Sequence, residues 1–377
     1  MVPKGWEFSK LGNVAELQRG FDLPSTKRID GNIPIVSSSG VSGYHNEYKV
    51  EKPGIVTGRY GSIGNVYYVE ENFWPLNTSL WVKNFHSNYP KFIYYLLSSF
   101  DFKKFSDKTG VPGVNRNDLH AVKVAVPPLL EQKKIVKILS TWDKAISTTE
   151  RLIDNSAQQK KALMQQLLTG KKRLLDDSGE RFEGEWTRKP ISFVADVITG
   201  NTPSTKNQNY YGGDKLFVSP SDLGISKYIL KTTKRLTDIG FSQTRKVPKG
   251  SSLFTCIGST IGKLGIAGEE LATNQQINSV CAKGNNCGEF IYYQLLFHAE
   301  QIKGSAATQA VPIINKTNFE SQLIFSPPSH EEQKKIATVL TNADKEIELL
   351  EQQLADLQQE KKALMQVLLT GKKRVVV

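Results

Sequence analysis

A few stretches of this 377-residue chain carry residue types that could do chemistry. Ser326-Pro327-Pro328 has the outline of the motif that holds a target amine for methyl transfer, but Ser329 stands where an aromatic ring must stack on the flipped base. Its counterpart earlier in the chain is Val126-Pro127-Pro128-Leu129, and a helix start accounts for both. Gly258 to Lys263 imitates a phosphate loop with one residue too few between its glycines, and Leu264 replaces the Ser/Thr that must reach magnesium. Asp30, Glu47 and Lys49 could be drawn around a nuclease metal, yet the second half of the chain has no counterpart. His45, His86, His120, His298 and His330 are scattered without ligand spacing or a nucleophile. Cys256, Cys281 and Cys287 lack a Cys-x-x-Cys spacing, so reduced structural thiols are expected, with neither metal nor disulfide. Catalysis by this chain is not expected.

Another chemistry is open to it, the reading of nucleic acid. Base edges are read by Arg, Lys, Asn, Gln, Ser and Thr, while phosphates attract Arg, Lys and backbone amides. Candidates in the first half are Ser37, Ser38, Arg59, Asn77, Asn115 and Arg116. Those in the second half are Ser219, Ser221, Thr255, Asn274, Gln275, Asn315 and Lys316. Each also suits a turn or a cap. Arg59 has Ile257 at its equivalent position, so the two halves should not read the same bases.

What must position these residues is a duplicated device. KKALMQQLLTGKKR at 160–173 returns as KKALMQVLLTGKKR at 361–374, and each copy closes a segment free of Gly and Pro that opens at a double proline. The spacing predicts helices from Glu131 to Leu168 and from Glu332 to Leu369, each a rod of roughly 60 Å. Gly170 and Gly371 stand where a helix C-cap wants φ > 0. The Lys-Lys-Arg after each glycine suits the negative end of the helix dipole, and Glu131 and Glu332 suit the positive end.

Apolar residues recur in heptad steps along both rods: Ile135, Leu139, Trp142, Ile146, Ile153, Leu163 and Leu167 in the first, Ile336, Leu340, Ile347, Leu350, Leu354, Leu357, Leu364 and Leu368 in the second. The rods should therefore pair. If they run antiparallel with midpoints together, Lys160 falls near Thr341 and Asp344, and Lys361 near Ser140 and Asp143. Two ion pairs would then bracket the seam. Met164 and Met365, near the ends, are candidate contacts for a partner.

The regions ahead of the rods form a fainter repeat. Trp6, Leu11 and Gly20 are echoed by Trp186, Ile191 and Gly200; Gly61-Ser62-Ile63-Gly64 by Ser259-Thr260-Ile261-Gly262; Asn77-Thr78-Ser79 by Asn274-Gln275-Gln276; Phe92-Ile93-Tyr94-Tyr95 by Phe290-Ile291-Tyr292-Tyr293; Val111-Pro112 by Val311-Pro312. The order reads as globule 1–126, helix 127–173, polar linker 174–185, globule 186–326, helix 327–377. Short β-branched runs between Gly, Pro and Asn clusters make each globule α+β, with helix expected at Pro90 to Ser99 and Gly288 to Gln301. Net charge is +12, of which residues 1–126 carry about +4 and residues 186–326 about +6, so both globules suit a polyanion. No leader-like segment or membrane-length apolar run is visible, and a cytoplasmic location is expected.

With PPLLEQKKI and PPSHEEQKKI opening the helices and LLTGKKR closing them, the whole chain resembles the specificity subunit of a type I restriction-modification system. The resemblance implies that each globule is a target recognition domain reading one half of a split, asymmetric site on double-stranded DNA. It further implies that the helices set the spacing and bind two methyltransferase subunits, with restriction subunits joining the complex, and that the chain itself is non-catalytic. S-adenosylmethionine would belong to the methyltransferase partner and ATP with magnesium to the restriction partner, none bound by this chain. A coiled-coil scaffold bridging proteins and a stand-alone DNA-binding regulator are the alternative readings.

Overall fold

The computed structural model describes residues 3–105, 113–306 and 311–375. Val111 and Pro112 of the fainter repeat lie outside them. The chain divides into two compact units, residues 1–151 with 351–377, and residues 152–350. Each unit thus holds one globule, the first half of one long helix and the last half of the other.

In the first unit a four-stranded antiparallel sheet runs in the order Glu16–Arg19, Ser79–Asn84, Gly54–Gly58, Val66–Val69. A smaller sheet joins Gly40–His45, Ile33–Ser37 and Trp74–Pro75, and Glu7–Lys10 pairs with Lys123–Val126 to close the globule beside the helix start. The helix Pro90–Ser98 lays Phe92, Ile93, Tyr95, Leu96 and Leu97 into the core. That core also takes Ile135, Val136 and Leu139 from one long helix and Leu368 and Leu369 from the other. The globule is therefore built around the helix ends, which bury there what a lone pair of helices would expose.

The second unit repeats the plan. Its sheet runs Ala195–Thr199, Ile277–Ala282, Ser252–Thr255, Leu264–Ala267, with Tyr228–Ile229 added in parallel at the edge. Thr187–Pro190 pairs with Leu323–Ser326. The helix Gly288–Phe297 takes the place of Pro90–Ser98, and a separate helix follows at Ala299–Gly304. Ile336, Ala337, Leu340, Leu167 and Leu168 supply the long helices' share of the core.

The long helices span Leu129–Leu167 and His330–Leu368, starting two residues before the spacing suggested. Gly170 and Gly371 take φ of 71° and 72°, and the Lys172 and Lys373 amides close back on Gln166 and Val367 at 3.1 Å. All the heptad residues named above are buried or half-buried, whereas Leu349, one step off the stripe, is 71% exposed. No described helix is long and apolar enough to cross a membrane.

Candidate nucleic-acid interface and helix pairing

Each long helix begins with a buried glutamate that the dipole argument does not explain. Glu131 is 1% exposed and accepts two hydrogen bonds at 2.7 Å from the Arg374 guanidinium and one at 3.0 Å from the Trp6 indole. In the second unit Glu332, 0% exposed, receives Arg173 at 2.5 and 2.8 Å. Here the arginine also donates to the Glu183 and Gly184 carbonyls, pinning the linker. Bidentate Arg-carboxylate geometry satisfies both charges where water is scarce. The closing arginine of each helix is therefore a partner for the opening glutamate of the other, not a dipole counter-charge.

The neighbouring glutamine has its own task. Gln132 accepts from the Tyr89 amide at 2.8 Å and Gln333 from the Cys287 amide at 2.8 Å, fastening each long helix to the start of its globule's core helix.

Within each unit the helix halves run antiparallel, since Lys361 meets Asp143 at 2.5 Å while Arg374 meets Glu131, and Lys160 meets Asp344 while Arg173 meets Glu332. Both expected mid-helix pairs are present. Each carboxylate also takes a tyrosine hydroxyl, Tyr95 to Asp143 and, at 2.5 Å, Tyr293 to Asp344. Burial first, then the carboxylate, raises both phenols above their ordinary range. Lys227 joins the second network only, donating to Tyr293 Oη at 2.9 Å and Thr341 Oγ1 at 2.7 Å. Its burial lowers the amine below the usual lysine range against the opposing pull of Glu289 and Asp344.

Several loops of each globule converge on one surface. In the first unit Arg59 stacks over the Tyr60 ring at 4.4 Å and donates to the Asn77 carbonyl at 3.5 Å. Tyr60 bridges to Gly113 and Val114 bonds the Arg59 carbonyl, drawing in the turn that carries Asn115 and Arg116. Ser38 lies beside Gly61. In the second unit Asn274 bonds back to Val218, next to Ser219, and Ile257 bridges to Ile313, next to the turn bearing Asn315 and Lys316.

Not every candidate reaches that surface free. Thr255 is 0% exposed on a central strand and cannot touch DNA. Ser37 is buried, its hydroxyl donated to the Gly40 carbonyl. Residue type suggested both, but each is the last residue of its strand, Ile33–Ser37 and Ser252–Thr255, with its side chain packed inside the globule. Asn115 and Asn315 cap short helices with their side-chain oxygens, and Ser219 is bound in a capping box with Asp222. Gln275, Ser221, Arg116 and Lys316 are exposed. Met164 and Met365 are half-buried against the cores of their own units. Met365 also lines a groove of about 610 Å³ with Phe8, Leu96, Phe100 and Val124.

Two α+β units on one plan, each with a polar loop cluster and each clasping duplicated helix halves, define a duplicated recognition subunit. The chain matches the family model described as type I restriction modification DNA specificity domain over residues 3–155 and 183–359, and it belongs to that family. It is 28% identical over 415 residues to the putative type I restriction enzyme MjaX specificity subunit of Methanocaldococcus jannaschii, covering 99% of this chain and 95% of that protein. To the MjaIX specificity subunit of the same organism it is 33% identical over 172 residues, 44% of this chain and 39% of the other. In fold it is similar to the type I restriction-modification S subunit from M. genitalium, with a TM-score of 0.64 at 15% identity over 97% and 96% of the two chains. The chain is thus a type I specificity subunit, the DNA-recognising and non-catalytic component of such a system.

Proposed function

We propose that this subunit reads a bipartite, asymmetric double-stranded DNA site, one half per globule, and brings methyltransferase and restriction subunits to it. The observation that carries the reading is one loop frame built twice with different side chains on it: Arg59 stands where the second unit has Ile257. A frame kept with contents changed suits two half-sites of different sequence. Net charge of +12 supplies the sequence-independent attraction to phosphates. The duplicated helix ends offer one docking place per repeat, hence two methyltransferase protomers. S-adenosylmethionine enters with those protomers and ATP with magnesium through the restriction subunit, all in the cytoplasm.

The test is to co-purify the chain with the methyltransferase subunit of its own system, weigh the complex, and map methylation on a random DNA library. A gapped site with two unlike halves and a two-to-one mass are expected. A continuous site, or one methyltransferase per chain at full activity, would overturn the reading.

A further inference from the structure

Exposed side-chain hydrogen bonds tie the same two loops together in both units. In the first, Asn77 donates its amide to the Asp22 carboxylate, which also receives Arg19 at 3.3 Å. In the second, Thr202 donates to Gln275 Oε1 at 2.6 Å. Beneath them the backbones are joined on one plan: Gly20 to the Ser79 carbonyl at 3.1 Å and Phe21 to Pro75 at 2.8 Å, Gly200 to Ile277 at 3.1 Å and Asn201 to Thr273 at 3.0 Å. A Cβ on Gly20 would meet the Leu76 carbonyl oxygen at 2.1 Å, and one on Gly200 the Thr273 and Asn274 carbonyl oxygens at 2.3 Å. Only glycine admits this approach.

The frame is therefore constant and the side chains on it are not. A single exposed bond contributes at most about 1 kcal/mol, too little to explain why two differently built bonds stand at equivalent places. What such a bond does is fix rotamers before a ligand arrives.

Building on the DNA reading above, we infer that Asp22–Asn77 and Thr202–Gln275 are the base-reading pairs of the two units. A carboxylate on a basic, DNA-facing surface is repelled by phosphates and can only accept hydrogen bonds. The major groove offers it the exocyclic amino groups of cytosine and adenine. Asn77 gives one of its two amide hydrogens to Asp22, and its Oδ1 stands as a further acceptor beside the carboxylate oxygens, so acceptors dominate the first pair and it favours amino-bearing edges. Thr202 spends its hydrogen on Gln275, leaving the Gln275 amide nitrogen to donate, so the second pair selects edges that present an acceptor.

The experiment maps methylation by the complete complex on a random library for the wild-type chain and for Asp22→Ala, Asp22→Asn, Asn77→Ala, Thr202→Ala and Gln275→Ala. Asp22→Ala and Asn77→Ala are expected to relax base preference ~10-fold at one or two positions of a single half-site. Thr202→Ala and Gln275→Ala should do so in the other half-site alone. Asp22→Asn, which keeps the side chain's size, should gain tolerance for bases presenting acceptors, a change that a purely structural role would not produce. A split wild-type site kept unchanged by every variant, or weakened uniformly without a change in sequence, overturns this inference and leaves the function standing. A continuous wild-type site would instead overturn the function itself.

Discussion

Asp222 shows how one carboxylate can hold two loop segments together. Its oxygens accept from the Ser219 amide and hydroxyl at 2.8 and 2.7 Å and from the Thr233 amide and hydroxyl at 2.9 and 2.8 Å. Burial alone would push its pKa up, yet the bonds from Thr233 and Ser219 together outweigh it and hold the acid below its usual range. A depressed folded pKa means stability that is full above the unfolded value, about 3.9, and is lost as pH falls through the folded value. Asp222→Asn should therefore cost about 2 kcal/mol at pH 7 and flatten this residue's share of the acid limb below about pH 4. Urea melts of the full chain at pH 7 and at pH 3 to 4 check both, and equal stability at pH 7 would show that the bonds do not matter. The polar type of Ser219 was legible in the sequence. Its partner was not, because Thr233 comes from a separate segment and no local spacing pairs them.

At the scale of the helix, caps and heptads were written plainly: double prolines before, Thr-Gly after, and a stripe whose members are all at least half-buried. The Lys160–Asp344 and Lys361–Asp143 pairs follow from that stripe once antiparallel register is assumed. The Glu131–Arg374 and Glu332–Arg173 pairs follow from the same assumption carried to the ends, but a glutamate in a first turn already has a sufficient local reason to be there. Burial is what separates the two explanations, and it is a tertiary fact. Glu332→Ala should destabilise the second unit by about 2 kcal/mol, less than the 3–5 of a fully buried pair because Arg173 keeps some water. A cycle with Arg173→Ala measures the coupling, and an additive double mutant would return the glutamate to a dipole role. Removing the lysine of either pair, Lys160→Ala or Lys361→Ala, leaves each aspartate its tyrosine bond and should cost at most about 1 kcal/mol. If neither change has an effect on melting, the pairs do not fix register.

At the scale of the whole chain, the repeat was legible because the helix ends are nearly identical. The extra edge strand Tyr228–Ile229 and the buried Lys227 behind it were not, since neither has a counterpart in the first half. The repeat makes a strong prediction about exchange. Each globule meets the helices through two of the same side chains, Gln132 or Gln333 at the core-helix start and Asp143 or Asp344 at a tyrosine; the Trp6 indole adds a bond to Glu131, whereas the Trp186 indole nitrogen is buried without a partner. A copy of residues 6–126 placed where 186–326 stand would thus find Gln333 for Tyr89, Asp344 for Tyr95 and Glu332 for Trp6, and should fold. In the proposed function its target becomes an inverted repeat of the first half-site, with a spacer close to that of the parent. Half-site centres about one helical turn apart, ~10 bp, are expected for a two-fold reader. Lengthening both long helices by a heptad should change the spacer and leave each half-site intact. Binding by parent and chimera alike should weaken steeply between 50 and 200 mM salt as counterions are no longer released at a profit. Methylation mapping of the chimera decides the matter: a target that keeps the parent's second half-site, or a half-site that changes when only the helices are lengthened, would show that recognition does not reside in the globules.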